Sequence, residues 1–184
     1  MATIRSDIGA LREGTPRQRA AWRTLQQLGV LDILAPFHAR LAGTIPIDVD
    51  SPGSDLDIIC EATDFESLAR ILKKHYGHFP NFELTLKTRY GHAVLLCEFR
   101  TDEFPIQIYA SPTPVDQQRA WVHLLAEAAL LAEGGEEAKE AVRALKRLGV
   151  KTEPAFAQVF GLAGDPYDVL YQIGLDLLTQ CQAE

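Results

Sequence analysis

The sequence predicts an α+β fold, a small mixed β-sheet flanked by helices with a helical C-terminal half packed on it. Three observations carry this expectation. Apolar residues alternate with period two only between about residues 55 and 109. On either side they recur at helical spacing, and most helix starts carry a recognisable cap. No repeat, low-complexity tract or linker interrupts the chain, so residues 1–184 are expected to form one domain, with a sheet core over about 1–111 and a helical part over about 112–184.

Taken in order, Thr15-Pro16-Arg17-Gln18 supplies an N-cap hydroxyl, a proline at the first helical position and a glutamine three residues after the cap. Ala20, Trp22, Leu25 and Leu28 follow, and Gly29 can end that helix. A short second helix is expected over Val30 to His38. Asp55-Leu56-Asp57-Ile58-Ile59-Cys60 reads as a strand with one end exposed. Thr63-Asp64-Phe65-Glu66 reads as a capping box, opening a helix with Phe65, Leu68, Ile71 and Leu72 on its apolar face and a stop near Gly77.

Phe82 to Leu86 alternates cleanly, and Arg89-Tyr90-Gly91 looks like a hairpin turn into a strand over Ala93 to Phe99. Phe104 to Tyr109 returns as a further strand, where Pro105 favours a sheet edge or a strand start. Thr113-Pro114 then opens a long helix through Trp121, Leu124, Leu125 and Leu131, whose Leu/Ala stripe over 121–132 is expected to be core. Gly134-Gly135 breaks it. Glu136 to Leu148 follows, acidic first and basic last as the helix dipole prefers, and Gly149 closes it. Thr152-Glu153-Pro154 and Gly164-Asp165-Pro166-Tyr167 start two more helices, the second with Asp165 as N-cap.

A formal net charge of −7 and a pI near 5.2 weigh against a protein that grips nucleic acid through its phosphates. Cys60, Cys97 and Cys181 are too few and too widely spaced for a disulfide framework or a zinc site, and Cys60 and Cys97 sit in apolar runs where a thiol acts as a small hydrophobe. The N-terminal MATIRSDIGALREG has no apolar signal region and no stretch approaches a membrane span, so a cytoplasmic protein without membrane contact is expected.

The segment from Ala42 to Ile59 carries the chemistry. Residues two apart on a strand share a face, so Asp55 and Asp57 are expected to present two carboxylates together while Leu56 and Ile58 turn into the core. Such a pair repels itself unless a cation compensates, and hard oxygen ligands suit Mg²⁺. Upstream, Gly43-Thr44 lets the backbone approach a phosphate, with the threonine hydroxyl as a donor.

This segment resembles the signature of the polymerase-β-type nucleotidyltransferase superfamily, with Gly43-Thr44 for the Gly-Ser pair, Ser54 before the first aspartate, and Asp55-Leu56-Asp57-Ile58 as the carboxylate run. The wider pattern, from GTIPIDVDSPGSDLDIIC through FPIQIYA to VDQQRAWVHL, is similar to an uncharacterised bacterial family assigned to that superfamily. The resemblance implies a nucleotidyltransferase-like fold that binds an NTP with Mg²⁺ or Mn²⁺ and transfers a nucleoside monophosphate to a hydroxyl. Asp55 and Asp57 would hold the metal, and Gly43, Thr44 and Ser54 would position the phosphates. The acidic charge favours a small-molecule or protein acceptor over nucleic acid.

Superfamily members also carry a third carboxylate on a later strand. Here the matching slot, between Ile106 and Ile108, holds Gln107, whose amide oxygen can ligate a hard cation but cannot act as a base. Glu98 could substitute if the register places it on the same face. Gln107 leaves open a catalytically inactive nucleotide-sensing or protein-interaction module of the same fold. Asp48-Val49-Asp50, between two prolines with no apolar strand after it, reads as a loop or approach strand, or as a holder of a second cation. Arg119 and His123, four apart, either reach a triphosphate or flank a buried Trp121 at the surface. His75, His78 and His92 lack metal-ligand spacing.

Overall fold

The computed structural model describes residues 8–182; residues 1–7, where the stretch read for a signal region begins, and the side chain of Cys181 lie outside the described residues. Strands β1 (Arg40–Ala42), β2 (Leu56–Glu61), β3 (Glu83–Arg89), β4 (His92–Arg100) and β5 (Pro105–Ser111) form one mixed sheet of order β1-β2-β5-β4-β3. Among the described residues only the β2–β5 pair runs parallel. The α-helices are α1 (Pro16–Leu28), α2 (Val30–Ile33), α3 (Phe65–Tyr76), α4 (Arg119–Arg147), α5 (Thr152–Phe160) and α6 (Pro166–Gln182). The α+β architecture with a small mixed sheet and a helical C-terminal half is the expected one.

The period-two pattern divides the sheet into two faces. Leu56, Ile58 and Cys60 of β2, Leu95, Cys97 and Phe99 of β4, and Ile106, Ile108 and Ala110 of β5 all point to one side and join the main core under α1, α2 and α3. Tyr76 of α3 stacks on Phe99 at 5.1 Å and donates from its hydroxyl to Leu28 O. On the opposite face Ile59 packs with Trp121 and Leu124 of α4. Burial pushes the Cys60 and Cys97 thiols up to about 12, with Cys97 raising Cys60 further and Glu98 raising Cys97, so both are protonated apolar groups at neutral pH.

Local signals held at most helix ends. Thr15 caps α1 in a full capping box with Gln18, and Gly29 ends the helix in a left-handed conformation. The hairpin between β3 and β4 turns on Tyr90 and Gly91, both at positive φ as a two-residue turn of this hand requires. Three expectations need correction, and one strand was not anticipated. The cap of α3 is Asp64, which accepts from Ser67 N, and not Thr63. The second helix stops at Ile33, with a 3₁₀ turn over Ala35–Phe37. Thr113-Pro114 leads into a 3₁₀ turn, and α4 begins only at Arg119. Strand β1, three residues long, was too short to show a period.

Pro105 starts β5, which is interior to the sheet, so strand start rather than sheet edge accounts for it. Helix α4 is interrupted at Gly135 (φ 64, ψ −159), and α6 packs so closely against its first segment that a Cβ on Gly174 would overlap Val122 O. A second core joins α4, α5 and α6 and takes in Val49 from the loop between β1 and β2. Among the described residues no helix is long and apolar enough to cross a membrane.

Gln18 does more than cap. Its Oε1 accepts from Thr15 N while its buried Nε2 donates to Ile45 O and Pro46 O, tying α1 to that loop. Gln18→Ala is therefore expected to cost about 2 kcal/mol, from a lost cap and two stranded carbonyls. Urea and thermal denaturation should read this as a fall in Tm of roughly 4–8 °C.

Candidate functional site

The site forms on the sheet's second face, beneath the C-terminal helices. Register pairs Asp57 of β2 with Gln107 of β5, and Gln107 with Glu98 of β4. Directly paired residues point to the same side of a sheet, so these three form one polar row, with Ile59, Tyr109 and Leu96 as the next row. The polar row floors an open cavity of about 750 Å³ between the sheet and the helices α4, α5 and α6, within the size range of small-molecule sites. Glu98 thus faces the same way as Gln107, and Gln107 Nε2 donates to Glu98 Oε1 at 3.3 Å. Strand spacing keeps Glu98 about 10 Å from Asp57 along the row, with Gln107 between them.

At the β1–β2 loop, Gly43 and Thr44 line the cavity beside Asp57. Gly43 has φ +76, and a Cβ there would overlap Asp57 Oδ2, so its bare backbone approaches a carboxylate of the protein itself. Asp55 and Ser54 do not line the cavity. Asp55 precedes the strand rather than sitting in it. Ser54 Oγ accepts from Ser51 N at 3.0 Å, closing the turn that delivers Asp55.

Asp48-Val49-Asp50 is consumed structurally. Asp48 pairs with Arg143 and faces Lys139, its carbonyl accepts from Arg143 Nε at 2.8 Å, Val49 is fully buried, and Asp50 faces Arg17 at 3.4 Å.

Asp57 is the electrostatic centre. Burial, and next the negative charge of Asp55, push its carboxyl from 3.8 up to about 7, while Lys146 pulls the other way. A carboxylate held this high is short of a compensating cation. Among the described residues no group of three or more His, Cys, Asp or Glu side chains is arranged to hold a metal ion.

The helical wall opposite the row presents Arg119, His123 and Glu127, each four residues from the last on the first segment of α4. Arg119 lies over Tyr171 at 4.5 Å and Tyr90 at 5.3 Å and pairs with Asp168 at 3.0 Å. His123, 7% exposed, donates from Nε2 to Tyr167 O at 2.9 Å and places Nδ1 3.4 Å from Glu153. Neither is a surface residue flanking Trp121, which faces Ile59 and carries Arg40 over its ring.

Glu127 is 4% exposed and is pushed up to about 8 by burial and then by Glu153, against the pull of Lys146. It interrupts the stripe expected to be core. A polar residue every fourth position from Arg119 was the signal that would have found it. His92 also lines the cavity, whereas His75 and His78 pack beside Tyr76 and Phe79.

Fold and site define an α+β protein whose sheet carries a row of acidic and amide side chains beneath a polar helical wall. Residues 23–173 match the family described as Domain of unknown function (DUF4269), and the chain belongs to that family. No curated protein matches it.

Among solved structures it is similar to the GLD-2/RNP-8 complex (TM-score 0.49, 10% identity, 83% of this chain and 61% of that one) and to the polymerase core of TRAMP, an RNA surveillance complex (0.49, 16%, 89% and 58%). It is also similar to the MgGTP-bound Cid1 poly(U) polymerase (0.47, 15%, 71% and 40%). The chain spans less than two thirds of the length of each.

Asp57 makes the metal-free protein pH-sensitive in a definite direction. Its folded pKa is raised, so the folded state holds a proton that the unfolded chain releases above pH 3.8, and stability falls as pH climbs towards about 7. Asp57→Asn removes that penalty. Thermal melts in EDTA should show a stabilisation that grows between pH 5 and pH 8 by roughly 1–3 kcal/mol. A gain independent of pH would contradict this account.

Proposed function

We propose that the cavity binds a nucleoside triphosphate together with Mg²⁺ or Mn²⁺ and that the chain transfers a nucleoside monophosphate to a hydroxyl of a small molecule or protein. The observation that carries this reading is Asp57, a half-buried carboxylate under the negative charge of Asp55, opening on a cavity of nucleotide size. Asp57 is the principal cation ligand, and Asp55 adds negative charge behind it. Thr44 and the bare backbone at Gly43 flank the position of the phosphates. Ser54 supports them indirectly, through the turn before β2. A divalent cation held there would neutralise charge on the triphosphate.

In such a transfer the acceptor oxygen bonds to the α-phosphorus, the bond to the bridging oxygen breaks, and pyrophosphate leaves. Gln107 contributes orientation. Its Nε2 is engaged by Glu98, which leaves its Oε1 to receive the acceptor hydroxyl, and Glu98 is the nearest carboxylate in the row to take the proton. The low overall basicity supports a small or proteinaceous acceptor, in a soluble cytoplasmic setting.

Isothermal titration with Mn²⁺ and each of the four NTPs tests the reading. Binding is expected with at least one NTP and should be lost in Asp57→Asn. Because a cation must displace the Asp57 proton, affinity should rise between pH 6 and pH 8. Absence of any NTP binding with metal present would overturn the proposal.

Gln107→Glu separates an enzyme from a sensor. A carboxylate in that slot is expected to speed transfer from an α-labelled NTP in a cell extract by about tenfold or more. If NTP binds and no transfer occurs in either protein, the nucleotide-sensing alternative takes its place.

A further inference from the structure

Glu127 is left over when the charges around it are assigned. Four carboxylates, Glu127, Asp50, Glu153 and Asp57, act on the single ammonium of Lys146. Asp50 has Arg17 at 3.4 Å, Glu153 has His123 at 3.4 Å, and Asp57 belongs to the cation position. Lys146 itself spends a donor on Thr152 Oγ1 at 3.0 Å. Glu127 accepts no hydrogen bond and closes no ion pair among the described residues, although it is only 4% exposed and lines the cavity. Its neighbours Val122 and Ala126 are fully buried apolar residues, so packing does not call for a carboxyl here.

A second acceptor on the same wall is also unmatched. Gln118 Nε2 donates to Cys60 O and Thr113 O, while its buried Oε1 has no partner. Acceptors left without a donor at a cavity wall are satisfied by a ligand that brings N–H groups, and Glu127, opening on the cavity, is the charged one. Four carboxyl groups face the one ammonium of Lys146, so the donor that fits best is cationic, taking the place of the proton that burial holds on Glu127.

We propose that Glu127, with Glu153 beside it, forms an acceptor subsite for a protonated amine, so that the hydroxyl substrate belongs to the amino-sugar or amino-alcohol class. As a statement about the acceptor it rests on the nucleotidyl-transfer reading; as a statement about amine binding it stands alone.

Calorimetric titration of the full chain with glucosamine and ethanolamine, against glucose and ethylene glycol as uncharged counterparts, tests it with and without MnATP. At least one amine should bind about tenfold tighter than its counterpart. Glu127→Gln should erase that preference, and Glu153→Gln should reduce it. Equal binding of amines and counterparts by the unaltered protein would overturn the subsite, as would a preference that survives in a folded Glu127→Gln protein. MnATP binding without amine preference would sink the subsite and spare the nucleotide reading. Amine preference without MnATP binding would do the reverse.

Discussion

The parallel pairing of β2 with β5 is the constraint from which the rest follows. It sets Asp57 beside Gln107, and the antiparallel β4 then sets Glu98 beside Gln107. Because side chains alternate strictly, the same register that aligns these polar groups sends Leu56, Ile58, Ile106, Ile108, Cys97 and Phe99 together into the opposite core. A one-residue slip would bury Asp57 and expose the isoleucines at once. The hydrophobic energy of one face therefore holds the chemistry of the other in place.

The loop before β2 has no ladder of its own and is held from two sides. Gln18 and Arg17 reach it from α1, and Arg143 and Lys139 reach it from the second segment of α4. Val49 plugs it into the helical core. These anchors explain why two Asp-x-Asp patterns so close in sequence have different fates. Asp48 and Asp50 meet basic side chains and become structural, whereas Asp57 meets only another carboxylate and a distant lysine and stays electrostatically unresolved.

The break at Gly135 lets one helix contribute twice. Its first segment lines the cavity with Arg119, His123 and Glu127, and its second carries Lys146 back towards the same buried acids. Raised carboxyls at Asp57 and Glu127 lie on opposite sides of the cavity and share that one ammonium. Low dielectric makes such an imbalance expensive in the empty protein and valuable to a cationic ligand.

Much of this was legible in the residues themselves. The cap at Thr15, the stop at Gly29, the hairpin at Tyr90-Gly91 and the strand through Leu56–Glu61 are local properties, set by backbone preference and by a period of two. The alternation through Asp57 was likewise readable, since a period of two needs no distant partner, whereas the approach of Gly43 to Asp57 came only with the fold.

What lay beyond the sequence depended on contacts far apart along the chain. Strand β1 is defined only by pairing with β2, Glu98 joined the row only through β4–β5 register, and Asp55 and Ser54 fall in the turn before β2 rather than in the strand. Glu127 looked like an interruption in a core stripe until α5 and the sheet closed around it. Period and caps are encoded within a few residues; burial, charge balance and which face meets which are decided only when the whole chain packs.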